Sequence, residues 1–546
     1  MPGQKINFYR QRLDALRTKR ATFESQWEEA AERLVPAHKN SFRSRGLSNA
    51  MTPGRKNQEK MFDATAALAL HRFASVIESL TTPQGQQWHR LVPSDTALRN
   101  HRPTRIYLDD LTSLLFRHRY RPAANFVGQS QKTYNGYGAY GNGLLFIDAN
   151  EKQPGLRYKN FHLGETYIVE NHQGIVDTFY RVFYLTPRQI VSMYGDGAPE
   201  QVKKKLKNPS ESETEEEILH VVQPRGDMDP TRMDSRGMPF ESVHIYLTDE
   251  HVMRESGYNT FPLAVARYMQ FTNETYGRGP AQIVLPSIKV LNEEKRVFIK
   301  QGHRIADPVL LTHDDGVLGT WNLRPGAVNP GGVNAQGKPL VSILPEGNIS
   351  VNEKMMEMER AVINDAFLIT LFQILVDTPQ MTATEVLERA REKGMLIAPT
   401  AGALQAGYLG PMIERELDVL HQQGLLPPPP AKLLDAGGDF QVEYDNPMSR
   451  MSRAENASGF MRALDQALAI VNVTQDPSPL DFFNFDVAMP AIQDIAGAPT
   501  AWTNTAEKVA EIRARRQQEV QDRKMIEAGP SLAAIEKTRL EASKQG

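Results

Sequence analysis

The stretch from Asn348 to Glu385, NISVNEKMMEMERAVINDAFLITLFQILVDTPQMTATE, sets the tightest limit on what this chain can fold into. Val351, Met355, Met358, Val362, Ala366, Ile369, Phe372 and Val376 recur three or four positions apart, the spacing that aligns one face of an α-helix. A helix over 348–376 at ~1.5 Å per residue is roughly 40 Å long, beyond what an average core needs. Glu353, Lys354, Glu357, Glu359 and Arg360 lie off the stripe, so the first half is amphipathic. From Ala366 to Val376 the sequence is apolar almost all round and requires burial on several sides. Asp377-Thr378-Pro379 ends the helix, because proline disfavours the helical conformation at the residue before it and has no N–H to donate. Thr382-Ala383-Thr384-Glu385 reads as a capping box that starts a second helix. A long helix, a short break and a new helix make a lever with a loop at its tip, a shape suited to a tubular assembly more than to a soluble enzyme.

The 546 residues give room for two to four compact regions and a large core. With 63 basic against 65 acidic residues there is no global field to force a nucleic-acid or membrane partner. Any contact with DNA has to come from local placement. The absence of cysteine excludes disulfides and thiolate metal sites. The N-terminal MPGQKINFYRQR lacks the apolar core of a signal peptide, and no run reaches the ~18 apolar residues of a membrane span. The expectation is a soluble protein.

Along the chain, residues 4–35 read as a helix with Phe23, Trp27, Ala31 and Leu34 on one face, ended by Pro36. From His38 to Lys60 runs a polar loop with Lys39, Arg43, Arg45, Arg55, Lys56 and Lys60 against Glu59. It reads either as a solvated loop or as a contact for an acidic surface or nucleic acid. Helices are expected at 63–80, 104–119 and 123–138. The run Gly136 to Gly143 resembles a phosphate-cradling loop in composition alone. That fingerprint needs a strand before it and a helix after it, and here the order is reversed, so it reads as a helix-to-strand turn. Strands follow at 156–161, 166–170, 175–185, 217–223, 242–248, 251–255 and 262–269. They are interrupted by a short helix at 187–194 and by the acidic 211–217, read as a solvated insertion.

Tyr276-Gly277-Arg278-Gly279-Pro280 opens a helix over 281–302, with Pro286 bending it or marking its true start. Between Ile305 and Gly347 the composition turns to glycine and proline around two short apolar runs, 309–311 and 340–344, which reads as a β-hairpin module between two long helices. Later elements are helices to about Lys393, at 411–423, 449–471, 488–496 and 505–527, and a strand at 439–444. The tetraproline 427–430 reads as a stiff spacer.

The chemistry of catalysis is not legible. The histidines form no HExxH unit, and His313-Asp314-Asp315 near His303 and Asp307 reads as a turn rather than a metal site. There is no GxSxG elbow and no GxxxxGK[ST] loop, so the chain is not by itself the NTP-burning motor of a DNA machine. Glu293 and Glu294 occupy neighbouring helix positions that face apart. No catalytic residue, cofactor or metal is assigned.

The order of these signals resembles one family. Trp27 with the helix ending at Pro36, the Phe62-Asp63-Ala64-Thr65 helix start, Leu80-Thr81-Thr82-Pro83 with Trp88, the Tyr276 to Pro280 segment, and Met381 to Val386 followed by Leu425-Leu426-Pro427 look like the head-to-tail connector, or portal, family of short-tailed bacteriophages. The similarity runs from about 20 to 450.

The resemblance implies an α+β, predominantly helical fold. It implies a wing over 1–280, a first stem helix over 281–304, a clip over 305–346 and a second stem helix over 347–376. A tunnel loop over 377–383 (Asp377, Thr378, Pro379, Gln380, Met381, Thr382 and Ala383) follows, then connecting helices over 384–450 and a crown over 451–546. It further implies a homo-oligomeric ring, expected at 12 copies, at one capsid vertex of the virion. Such a ring assembles in the host cytoplasm, meets capsid protein, terminase motor and tail adaptor, inserts in no membrane, and passes double-stranded DNA through its axis. A channel of this kind should hold DNA weakly through sparse cations. Lys295, Arg296, Lys300 and Arg304 on the first stem helix and Arg389, Arg391 and Lys393 beyond the loop are candidates, the alternative being inter-subunit salt bridges to Glu353, Glu357 or Glu392. A tail adaptor or ejected internal protein, and more remotely a soluble hydrolase, stand as alternative readings.

Overall fold

The computed structural model describes residues 2–42, 58–306, 310–312, 333, 336–339, 341–343, 349–370, 399–445, 447–495, 504 and 508–521. The chain divides into two compact units, Met1–Ser452 and Arg453–Gly546.

The first unit opens on α1 (Pro2–Leu34), whose later turns bury Trp27, Ala31 and Leu34 on the expected face. Its first turns cover a sheet instead, packing Ile6, Tyr9 and Leu13 against Tyr180, Leu219 and Val243. In α2 (Thr65–Thr81) the buried residues Ala66, Leu70, Phe73, Ile77 and Leu80 keep helical spacing. The strand β1 (His89–Pro93) and α3 (Arg102–Arg119) follow, then α4 (Phe126–Tyr140) and β2 (Asn142–Ala149). Gly138 lets α4 lie against α2: a Cβ there would stand 2.7 Å from Leu70 Cδ1. The change from helix to strand comes at Gly141, with φ +73°, where a Cβ would fall 2.4 Å from the Gly277 carbonyl. The glycine run is therefore a helix-to-strand turn against the Tyr276 to Pro280 segment, and it cradles backbone rather than phosphate.

The strands β3 (Leu156–Asn160), β4 (Thr166–Glu170) and β5 (Val176–Leu185) precede the helices α5 (Pro187–Tyr194) and α6 (Glu200–Lys207). After them come β6 (Glu216–Pro224), β7 (Phe240–Tyr246), β8 (His251–Tyr258) and β9 (Leu263–Arg267). They form a three-stranded sheet in the order β3-β2-β9 and an antiparallel meander in the order β4-β5-β6-β7-β8. The strand pattern in the sequence is matched closely, with two differences. α6 was not expected, its Lys-rich sequence leaving only Val202 to bury. The acidic run is not wholly solvated: Glu216 belongs to β6 and accepts from Lys205 Nζ at 2.5 Å and the Tyr246 hydroxyl at 2.7 Å.

Beyond a short turn of helix, α7 (Pro280–Ile283), the first long helix is α8 (Leu285–Ala306). The helix expected over 281–302 thus breaks at Val284, and Pro286 sits in the first turn of α8, where its missing N–H costs nothing. Two short strands, β10 (Leu310–Thr312) and β11 (Val341–Ile343), pair antiparallel as the hairpin reading requires. The return helix is α9 (Ile349–Ala366). The unit closes with α10 (Gly410–Gln422), α11 (Ala431–Asp435) and β12 (Phe440–Tyr444), which pairs with β1.

In the second unit lie most of α12 (Pro447–Thr474), α13 (Phe485–Ile495) and a helix over 508–521. Among its described residues Ala467 is the one buried apolar side chain, while Val473, Phe482, Val487 and Met489 are exposed. These helices carry apolar faces that they do not cover for themselves.

Candidate functional site

The two long helices carry the features on which the sequence reading turns. α8 packs along α9, and α9 along α2. Among the described side chains of α9 the buried apolar ones are Met356 and Ile363, and Phe367 is buried directly after the helix ends. The apolar stripe is not buried as a whole: Met355, Met358 and Val362 are exposed, Met358 at 70%, while Ile369 is in the core. Periodicity identifies an apolar face without saying what covers it, and α9 has two such faces. On α8 the residues Val290, Val297, Ile299 and Ile305 are likewise exposed.

The continuous helix expected to Val376 is also corrected. α9 ends at Ala366, and Leu368 takes φ +59°, outside the helical region. The break lets Phe367 and Ile369 both enter the core, Phe367 meeting the Phe73 ring at 6.0 Å. Residues 371–398 lie outside the described residues, so the loop 377–383 and the cations Arg389, Arg391 and Lys393 fall there too, as do Glu392, Phe372 and Val376. His313-Asp314-Asp315 lies outside them likewise, and among the described residues no group of three or more metal-ligating side chains occurs.

The four cations of α8 are described. Arg296 pairs with Glu293 one turn earlier, and Lys295 Nζ stands 5.2 Å from the Phe298 ring centre. Lys300 and Arg304 are exposed and continue the row of Arg296 at four-residue spacing. No bond from any of these to Glu353 or Glu357 occurs within the described residues of the single chain. Glu293 and Glu294 do face apart: Glu294 turns towards Glu359 of α9, and burial followed by that second carboxylate pushes its pKa up.

Sequence reasoning missed how the helix pair is anchored. Asn292 on α8 accepts the backbone N–H of Phe62 at 2.7 Å and of Asp63 at 3.1 Å. Arg360 on α9 donates to Asp63 at 2.7 Å. The Phe62-Asp63 start of α2 is thus clamped by both long helices. The available signal was a polar Asn292 at a helix position whose neighbours Ile288 and Leu291 are apolar. The basic loop is anchored too: Lys39 pairs with Glu59 at 2.9 Å and Lys60 with the buried Glu32 at 2.6 Å, while residues 43–57 lie outside the described set. No helix among the described residues is long and apolar enough to cross a membrane.

The family described as bacteriophage head to tail connecting protein matches residues 7–503. Over 535 residues the chain is 25% identical to the portal protein of Salmonella phage epsilon15, covering 96% of this chain and 94% of that one. Over 539 residues it is 26% identical to a probable portal protein of Bordetella phage BPP-1, with the same coverage of 96% and 94%. A chain from the virion of a native gene transfer agent particle overlays with TM-score 0.32 at 12% identity, over 73% of this chain and 85% of that one, too loosely to support an argument.

Proposed function

The chain belongs to the bacteriophage head to tail connecting protein family, and from that premise we propose that it is the subunit of a portal ring through which double-stranded DNA enters and leaves the capsid. The observation that carries the proposal is the match over residues 7–503, which spans both long helices and the hairpin between them. The fold supplies a physical reason for many copies. Met355, Met358 and Val362 on α9 and Val290, Val297 and Ile299 on α8 are exposed in one subunit, and a closed ring covers such faces with the next subunit.

In this reading α8 and α9 form the stem, the β10–β11 hairpin belongs to the clip, and residues 1–280 form the wing. Residues 384–450 connect wing and crown, and 451–546 form the crown, where exposed Val473, Phe482 and Val487 are covered by neighbouring copies. The loop 377–383 reaches towards the DNA. Arg296, Lys300 and Arg304 form a sparse basic row for phosphates, weak enough for a duplex to slide. Copy number is taken as 12, and capsid protein, packaging motor and tail adaptor are the partners. The subunit acts as a structural channel, without catalysis, at the portal vertex of a virion, and assembles in the host cytoplasm.

The test is packaging. Capsids assembled without this chain should contain no DNA, and normal DNA filling would contradict the proposal. Replacing 377–383 by a Gly/Ser linker should leave ring assembly intact and reduce genome retention; unchanged retention would contradict the loop assignment alone.

A further inference from the structure

The first unit contains a cleft of about 1210 Å³ whose lining includes Lys132 of α4, Arg157 and Lys159 of β3, and Arg181 of β5. Its acidic lining does not neutralise them all: Glu165 is taken up by Arg181 inside the cleft, and Asp148 turns to groups outside it. Glu165 accepts from Arg181 at 3.0 Å, and Asp148 accepts from the Tyr258 hydroxyl at 3.2 Å and from Arg415 at 3.4 Å. Glu151 and Lys152, adjacent in the turn between β2 and β3, offset each other. Arg157 donates to the Ala123 carbonyl at 2.8 Å, a neutral partner that leaves its charge uncompensated. Lys132 and Lys159 make no hydrogen bond or ion pair within the described residues. Burial, then Arg181, pushes the Lys159 ammonium below the usual lysine value; Arg157 adds to this and Glu165 opposes it. The cleft carries more positive charge than its own acids neutralise.

The same chain carries a matching surplus of the opposite sign. In the turn between α6 and β6, Glu211, Glu213 and Glu215 are exposed and make no side-chain ion pair within the described residues. The turn is braced. The Asn208 carbonyl accepts the N–H of Glu211 and of Ser212, each at 3.0 Å, and the Thr214 hydroxyl donates to the Glu211 carbonyl at 2.6 Å. Glu216, directly after it, is held in β6 by Lys205 and Tyr246. Three carboxylates therefore project from a preorganised turn with a pinned base, which lowers the entropy lost when they dock.

We propose that the cleft of one subunit receives the acidic turn 211–215 of a second copy of this chain, as a head-to-tail contact between neighbours. The proposal rests on the ring reading above. One surface meeting a different surface on the next copy is the heterologous contact that a closed ring requires. Lys132 and Arg157 then gain the counter-charges they lack and Lys159 gains more than Glu165 supplies, and the contact sets register and assembly rate more than total affinity.

Charge exchange tests it on the full-length protein, with assembly followed by light scattering and negative-stain imaging and folding checked by thermal unfolding. One variant carries Lys132→Glu and Lys159→Glu; a second carries Glu213→Lys and Glu215→Lys. Each alone should need at least about tenfold more protein to assemble to the same extent, since like charges now meet. An equimolar mixture of the two, in which every cleft finds a turn of opposite sign on its neighbour, should assemble like wild type. So should the variant carrying all four changes. Normal assembly of either variant alone, or failure of both the mixture and the fourfold variant, would overturn the contact while leaving a wild-type ring in place. A wild-type chain that forms no ring would overturn the ring reading and this contact with it.

Discussion

Arg360 on the second long helix donates to Asp63 at the start of α2 across 2.7 Å, and the same two-residue start is held from the first long helix by Asn292. Burial alone would push the Asp63 carboxyl up, but hydrogen bonds from Thr65 and Arg360 outweigh it and hold it below the usual aspartate value. Its stabilising contribution is therefore complete above the unfolded aspartate pKa and is lost as pH falls through and below about 4.

Asn292→Ala removes the acceptor for two backbone N–H groups and should lower stability by about 2 kcal/mol in urea unfolding. Arg360→Ala should cost less, about 1 kcal/mol, because Arg360 is 33% exposed and solvent screens part of the pair. A smaller loss for Asn292→Ala than for Arg360→Ala would contradict the clamp as described.

A second node lies deeper. Arg119 of α3 makes two hydrogen bonds to Glu416 of α10, at 3.0 and 2.5 Å, and neither side chain is exposed. The Tyr158 hydroxyl adds a third at 2.6 Å. Glu416→Ala leaves a buried guanidinium without its carboxylate and should cost about 3–5 kcal/mol. Replacing both, as Arg119→Met with Glu416→Leu, should cost clearly less, because no charge is left stranded. Denaturant midpoints of the single and double variants separate a stranded charge from lost packing.

The five-stranded sheet predicts an acid response. Arg181, His220, His244 and Arg254 stand in register across β5, β6, β7 and β8, with the two imidazole rings stacked 3.9 Å apart. Burial, then neighbouring cationic groups, push His220 well below its usual value and His244 to about 3. A histidine whose folded pKa is depressed contributes stability in full above the unfolded pKa near 6.5, and that contribution falls as pH drops towards the folded value. Below pH ~6 each of these two should contribute a slope of about 1.4 kcal/mol per pH unit. His244→Phe should remove about one such slope between pH 6 and 4 in unfolding measurements, and an unchanged slope would contradict it.

Much of this architecture could be read from the residues, and the exceptions have physical causes. Apolar runs with alternation and turn breaks located β3 to β9, since each strand carries its signal locally, even though β5, β6, β7 and β9 bury most residues on both faces. β1 escaped because it is short, holds Arg90 and Pro93, and owes its existence to β12, whose Tyr444 pairs with His89 from far along the chain. On α9 the 3.6-residue period was present, but Met355, Met358 and Val362 on it are exposed in the single subunit, whereas Met356 and Ile363, with Phe367 just beyond the helix, supply the packing. The four proposed cations lie on α8, and Arg296 already has Glu293 three positions earlier, an i,i+3 pair that the sequence reading passed over. The anchor of Asn292 and Arg360 on Asp63 joins residues roughly 230 and 300 positions apart, and single-sequence patterns do not report such pairs.

The exposed stripe itself is open to test. Met358→Ser with Val362→Ser should change the stability of the isolated subunit by no more than about 0.5 kcal/mol per site, since neither side chain is buried there. The same pair should impair assembly, seen as a shift to monomer in mass photometry. Full assembly by the variant would contradict the role given to that face.

The most direct measurement is negative-stain imaging of the purified full-length chain, with subunit number counted by native mass spectrometry. A closed ring of identical subunits around a central opening wide enough for a DNA duplex is the predicted result. A particle that remains a single subunit at every concentration, with no opening, would contradict it.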